Sequence, residues 1–272
     1  MKNKSYLMTS LVIFSIILSS SIVTVRGTTY TCTGVVDAEA TWKVKTIHKG
    51  ALTDIFGVNW SSAIESSFGP GSNETGARMK TTVTFVNSSF SYDFGLGPFD
   101  ICLILSNLWT WTTQDFVITP DVPNAPTWIF MHPENLTAYC QAISFSTRNV
   151  SQLLAYPFLN GIPIPAATFL SELIWDNDYS VKGTTVTHDV TPPYIGLGGI
   201  YSVVCTETWR YSSSYGTFLG YKLVHNNGTI AYETILETPS KGGISGFEIP
   251  LLLGASIGVV VSLIYVVMRK KR

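Results

Sequence analysis

The stretch IYSVVCTETWRYSSSYGTFLGYKLVHNNGTIAYETILE, from Ile200 to Glu237, decides the fold. Its three segments IYSVVCTETWRY, GTFLGYKLV and TIAYETILE each alternate residue types with period two, as half-buried strands do. Between the last two, Asn226, Asn227 and Gly228 are residue types that accept the positive φ of a tight hairpin. The segments are therefore expected to form an antiparallel meander.

Working outward, KTTVTFV (Lys80 to Val86) places Val83 and Phe85 on one face and threonines on the other. Further strands are expected at Tyr30–Val36, Trp42–His48, Ser89–Phe94, Ile101–Trp109, Phe116–Thr119, Trp128–Met131, Cys140–Ser146 and Thr184–Val190. The content of GPGSNETG (Gly69 to Gly76) marks a loop. Two stretches break the pattern. Ala51 to Gly69 carries Ile55, Phe56, Trp60, Ile64 and Phe68 at helical spacing, with Asp54 or Ser61 as the expected cap. RNVSQLLAYPF and AATFLSELIWDND, separated by GIPIP, give two more short helices. The expected fold is mainly β, of the α+β kind: an antiparallel sheet with a C-terminal meander and two or three short helices, plus a C-terminal transmembrane helix. No repeat of 20–50 residues is visible, which argues against a propeller or solenoid.

Both ends are apolar. Ile249 to Met268 contains no charge, and at about 1.5 Å per residue it spans about 30 Å, one hydrocarbon core. Arg269, Lys270, Lys271 and Arg272 close it, so the positive-inside rule puts the C-terminus in the cytoplasm, where the same cluster meets anionic head groups. Gly254, Gly258 and Ser262 repeat every fourth residue, a row through which a weak homodimer could form, although glycine is common in membrane helices in any case. At the other end Lys2 and Lys4 precede an apolar run from Tyr6 to about Val25, and cleavage is expected near Gly27, with an uncleaved helix as the competing reading. The expected organisation is a signal peptide or N-terminal helix over 1–27, an extracellular β-rich domain over 28–237, a stalk over 238–246, a transmembrane helix over 247–268 and a basic tail over 269–272.

Composition narrows the partners. Thr28 to Ser245 holds ten Lys and Arg against seventeen Asp and Glu, so a nucleic-acid partner is not expected. Its four cysteines, Cys32, Cys102, Cys140 and Cys205, suggest two disulfides in an oxidising compartment. Of the three pairings, Cys32–Cys205 with Cys102–Cys140 is favoured, because the first and last strands of a closed sheet often meet. Six sequons begin at Asn59, Asn73, Asn87, Asn135, Asn149 and Asn227 and mark glycosylation positions on exposed loops. No metal and no cofactor is expected: C-x-x-C is absent, and His48, His132, His188 and His225 lie far apart. Satisfied or solvent-facing histidines are the expectation.

Catalytic strings such as G-x-S-x-G, H-E-x-x-H or a phosphate-cradling loop do not occur. Asp100, Asp176, Asp178 and Glu207 are the carboxylates that could converge from separate strands as a hydrolytic pair. WDNDYS (Trp175 to Ser180) offers oxygens to calcium, or else a polar turn ending a helix. Trp109 with Trp111, Trp209 with Tyr211, and Phe218 are either a row of rings for sugar or an apolar ligand, or core.

Ser245-Gly246-Phe247, the apolar span to Met268 and the RKKR end resemble the tripartite C-terminal tail of archaeal cell-surface proteins, in which a Pro-Gly-Phe-type motif precedes a membrane helix and a basic end. That resemblance implies a tail that a sortase-like membrane peptidase can cut and exchange for lipid. Here Ser245 stands where the motif has proline. The meander loosely resembles the curved antiparallel sheets of lipoprotein-carrier folds, which implies helices plugging an apolar cavity. The expected function is a non-enzymatic, single-span surface protein with a glycosylated, disulfide-bonded ectodomain that is structural or binds a surface protein or glycan. An apolar-ligand or lipid-binding ectodomain and a surface hydrolase are the alternatives.

Overall fold

A computed structural model of the chain describes residues 28–32, 34, 36–93, 98–130, 161–173, 175–196 and 198–237. In chain order these form β1 (Glu39–Ile47), α1 (Lys49–Phe56), a 3-10 turn (Gly57–Asn59), α2 (Trp60–Phe68), β2 (Arg78–Asp93), β3 (Pro98–Thr112) and β4 (Val122–Phe130). Then follow α3 (Ala166–Glu172), β5 (Tyr179–Lys182), β6 (Thr185–Val190), β7 (Tyr194–Gly196), β8 (Gly199–Tyr201), β9 (Cys205–Tyr211), β10 (Phe218–His225) and β11 (Ile230–Leu236).

Nine of these strands make one sheet in the order β4-β3-β2-β1-β11-β10-β9-β6-β5, and β7 and β8 form a separate hairpin. Every pairing is antiparallel. The expected meander is present as β9, β10 and β11. Its last strand pairs with β1, Trp42 opposite Leu236 and Ile47 opposite Tyr232, so the two ends of the described chain meet in the middle of the sheet.

Residues directly opposite each other share a face, and the register therefore sorts the side chains. Tyr179, His188, Glu207, Leu223 and Tyr232 form one cross-strand rung, and Val186, Trp209, Tyr221, Thr234 and Val44 the next. All of these but Tyr179 are buried. The opposite face carries Thr187, Thr208, Lys222 and Glu233, with Lys45 paired to Glu233 at 3.1 Å and Lys43 to Glu237 at 3.4 Å. One face is thus core and the other polar, the usual condition of an antiparallel sheet.

The helices α1 and α2 cover the core face. Phe68 stacks on Tyr232 at 5.2 Å, and Leu52, Ile55 and Ile64 join the same cluster, each burial stabilising the fold by about 1.5–3 kcal/mol. The expected single helix over Ala51–Gly69 is instead two helices, because Gly57 adopts a φ of 76° and its amide turns back to the Thr53 carbonyl. The cap is His48, whose Nδ1 accepts the Ala51 amide at 3.1 Å, and not Asp54 or Ser61, which lie inside the helices.

Other expectations shift for local reasons. Lys80–Val86 and the described part of Ser89–Phe94, up to Asp93, belong to one strand, β2, because the polar Asn87–Ser89 stretch is absorbed as a register shift against β3. Among the described residues of Tyr30–Val36 there is a single bridge, Thr31 to Ile164, and Phe116–Thr119 lies in the irregular β3–β4 connection. In the β10–β11 turn only Gly228 has positive φ; His225 and Asn227 close the loop by hydrogen bonds to Thr229. The Gly69–Gly76 loop holds: Gly71, at φ 83°, lies where a Cβ would come within 2.7 Å of the Trp111 carbonyl. The expected Cys140–Ser146 strand and the helix in RNVSQLLAYPF lie outside the described residues. So do the apolar ends; among the described residues no helix is long and apolar enough to cross a membrane.

The disulfide joins Cys32 to Cys102, with Cα atoms 6.0 Å apart, and Cys205 is a free, buried thiol. This overturns the favoured Cys32–Cys205 and Cys102–Cys140 pairing. The N-terminal strap does not reach the β9 end of the sheet; it crosses β2 and β3, where Cys32 packs with Val83, Val86 and Ile104.

Candidate functional site

Two strands carry a polar residue at the inward phase of an otherwise apolar alternation. In β6 His188 lies between buried Val186 and Val190; in β9 Glu207 lies between buried Cys205 and Trp209. The register sets His188 opposite Glu207, and the edge strand β5 brings Tyr179 opposite His188. Sheet pairing alone therefore gathers groups from three strands onto the core face.

The imidazole of His188, fully buried, is held at both nitrogens: Nδ1 is 2.8 Å from Glu207 Oε2 and Nε2 is 2.9 Å from Asp178 Oδ2. The second Glu207 oxygen, Oε1, accepts hydroxyl protons from Tyr201 and Tyr221, both at 2.7 Å. Tyr179 lies flat on the imidazole at 4.1 Å, and Tyr194 meets its edge at 4.8 Å. Glu207 is 2% exposed at its side chain and Asp178 is 42% exposed, so one carboxylate is desolvated and the other reaches water.

The electrostatics follow from this geometry. Burial pulls the His188 pKa down, but Glu207 and then Asp178 pull it up by more, so the ring titrates above its ordinary 6.5. Only the imidazolium can donate to both carboxylates at once. Burial first, and the Glu207 charge second, push the Tyr201 hydroxyl far upward, and the same two causes act on Tyr221. Both phenols stay protonated donors. The Cys205 thiol is pushed up to about 12 by burial and then by Glu207, so it is not an activated nucleophile.

Of the carboxylates singled out in the sequence, Asp178 and Glu207 converge. The imidazole fills the space between them, where a hydrolytic pair leaves room for substrate and water. Asp100 lies on β3 in the other half of the sheet. The Asp176 carbonyl accepts the Tyr179 amide at 3.0 Å in a turn, which is the polar-turn reading of WDNDYS. Among the described residues no group of three His, Cys, Asp or Glu could hold a metal ion. His225 accepts the Asn227 amide at Nδ1, and its buried Nε2 makes no hydrogen bond, with Asp54 3.7 Å away. His132 lies outside the described residues.

The aromatic rows are core. Trp109, Trp111, Trp209, Tyr211 and Phe218 are all buried, and the two β3 tryptophans donate their indole N–H to Val117 and Phe68 carbonyls at 2.7 Å. Asn59 and Asn227 are exposed; Asn73 and Asn87 are half-buried, Asn73 donating to Ser61 Oγ at 2.5 Å. Asn135 and Asn149 lie outside the described residues, as do Cys140, Gly254, Gly258, Ser262 and the Arg269–Arg272 cluster. The sequence held one signal of the His188 cluster that motif searching missed: polar residues in the inward phase of TVTHDV and CTETWRY.

No known protein family, no curated protein and no solved structure matches the chain.

Proposed function

We propose that the chain is a single-pass surface protein, anchored in the membrane by residues 247–268, whose outward β-rich domain is structural or binds an external partner and does no chemistry of its own. The Cys32–Cys102 disulfide carries this reading, because such bonds persist in oxidising compartments and are rare in reducing ones. Two further observations support it. The cluster of titratable groups is satisfied internally, His188 by two carboxylates and Glu207 by three donors. Asn59 and Asn227 are open to solvent at their sequons. Alkylating the protein in native membranes, without reductant, tests the reading: a Cys32–Cys102 cross-linked peptide is expected from the membrane fraction. A freely soluble protein with both thiols alkylated overturns it.

A carrier for an apolar ligand needs an open cavity of several hundred cubic ångströms. Among the described residues, rings on the core face are in mutual contact, Tyr201 with Phe56 at 4.8 Å and Tyr221 with Phe68 at 5.0 Å, which favours the first reading over a carrier.

A further inference from the structure

The strap that precedes β1 is fastened from its first described residue. Thr28 Oγ1 donates to Glu172 Oε1 at 3.0 Å, and the Tyr30 hydroxyl donates to Glu172 Oε2. Thr31 exchanges two backbone hydrogen bonds with Ile164 at 3.0 Å, Tyr30 is buried edge-on against Phe169 at 5.5 Å, and Cys32 is bonded to Cys102. The residue that follows the expected cleavage motif Val25-Arg26-Gly27 is thus itself fastened to α3 through its side chain.

Glu172 is exposed and carries a negative charge in an unfavourable place. It closes α3, where the helix dipole disfavours a negative charge, and the last turn contains no basic residue. Two hydroxyls reach its oxygens, but no described Lys or Arg pairs with it. A positive charge at Thr28 would pair with this carboxylate and offset the unfavourable helix dipole.

Resting on the exported reading above, we propose that the Gly27–Thr28 peptide bond is hydrolysed on export and that the ammonium freed on Thr28 pairs with Glu172, clamping the mature N-terminus onto α3. Water supplies the oxygen of the new Gly27 carboxylate, and the Thr28 nitrogen becomes the ammonium. In any staggered rotamer the Thr28 nitrogen lies within about 4 Å of its own Oγ1, which is itself hydrogen-bonded to Glu172. While the peptide bond is intact, that nitrogen is an uncharged amide. The titratable groups facing it are Glu172 on α3 and Tyr30 on the strap, whose hydroxyl is pushed upward by burial and then by Glu172; β5, which also packs on α3, carries Lys182.

An α-amino group titrates near 8 when free, and a carboxylate partner raises that value. The ammonium side of the clamp is thus fully charged below about pH 7.7, and the pairing is lost as pH rises through the raised value. Mass analysis of the mature protein is expected to show Thr28 as its first residue. Its thermal midpoint near pH 6 is expected to drop by about 1–3 °C in Glu172→Gln, a difference that narrows above pH 9. A first residue elsewhere, or a Glu172→Gln deficit unchanged with pH, overturns the clamp. A chain that keeps residues 1–27 with Cys32–Cys102 formed sinks only this inference, whereas a reduced, soluble chain sinks the exported reading itself.

Discussion

The two halves of the sheet, on either side of the β1–β11 pair, are held by different physics. The N-terminal half, β2, β3 and β4, has long strands whose pairing slips at three places between β2 and β3, and it is fastened covalently by Cys32–Cys102. The C-terminal half, β10, β9, β6 and β5, has shorter strands and is tied by one buried imidazole between two carboxylates. The halves are also expected to respond oppositely to pH. At the N-terminal half Lys80 of β2 holds down the carboxyl of Glu39, on the adjoining β1, against burial and with help from Thr82, and the Thr110 amide and hydroxyl hold Asp121 down. In the C-terminal half the His188 pKa is raised. A lowered carboxylate stabilises above its unfolded pKa and loses that contribution on acidification; a raised histidine stabilises below its unfolded pKa and loses it on alkalinisation. From these directions one flank of the sheet is expected to weaken on acidification and the other on alkalinisation.

Removing Glu207 breaks the comparison most severely. Glu207→Leu leaves His188 with one partner and two buried phenols without an acceptor, and a loss of about 3–5 kcal/mol is expected in urea unfolding of the purified protein. The covalent half comes next. Cys32→Ser with Cys102→Ser opens a loop of 70 residues and is expected to cost about 2–4 kcal/mol by the same measurement. Amide hydrogen exchange in that variant is expected to rise in β2 and β3 while β9 and β10 stay protected.

The pH contrast is smaller and more diagnostic. Raising pH above 6.5 is expected to speed exchange first in β5 and β6, and His188→Gln removes that dependence; lowering pH below 4.5 loosens β1 and β2 at the Glu39–Lys80 pair instead. If both flanks loosened together on alkalinisation, the division into halves would be wrong. The smallest effect belongs to the polar face, where Lys45→Ala removes the exposed partner of Glu233 and is expected to cost about 0.2–1 kcal/mol.

Much of the fold was legible in the chain because strand alternation is a local property. CTETWRY, FLGYKLVH and IAYETIL announce both their strands and their inward faces. The single long helix over Ala51–Gly69 was misread because its apolar spacing continues through Gly57, whose backbone breaks the hydrogen-bond ladder. The candidate site was half legible. Asp178 and Glu207 stood among the carboxylates named, and His188 among the scattered histidines, but nothing local joined them: Asp178 is ten residues from His188 and Glu207 is nineteen.

The sequence by itself determined the strand-rich class, the meander, the inward phase of His188 and Glu207, and the apolar runs that the anchored reading rests on. Tertiary structure alone decided which cysteine faces Cys32, which strand lies beside β6, and that an imidazole fills the gap between two carboxylates. The reason is the range of the forces involved. Alternation is written in neighbouring residues, whereas strand order and register are settled by burying one whole face of the sheet at once, and that choice exists only when distant segments have already met.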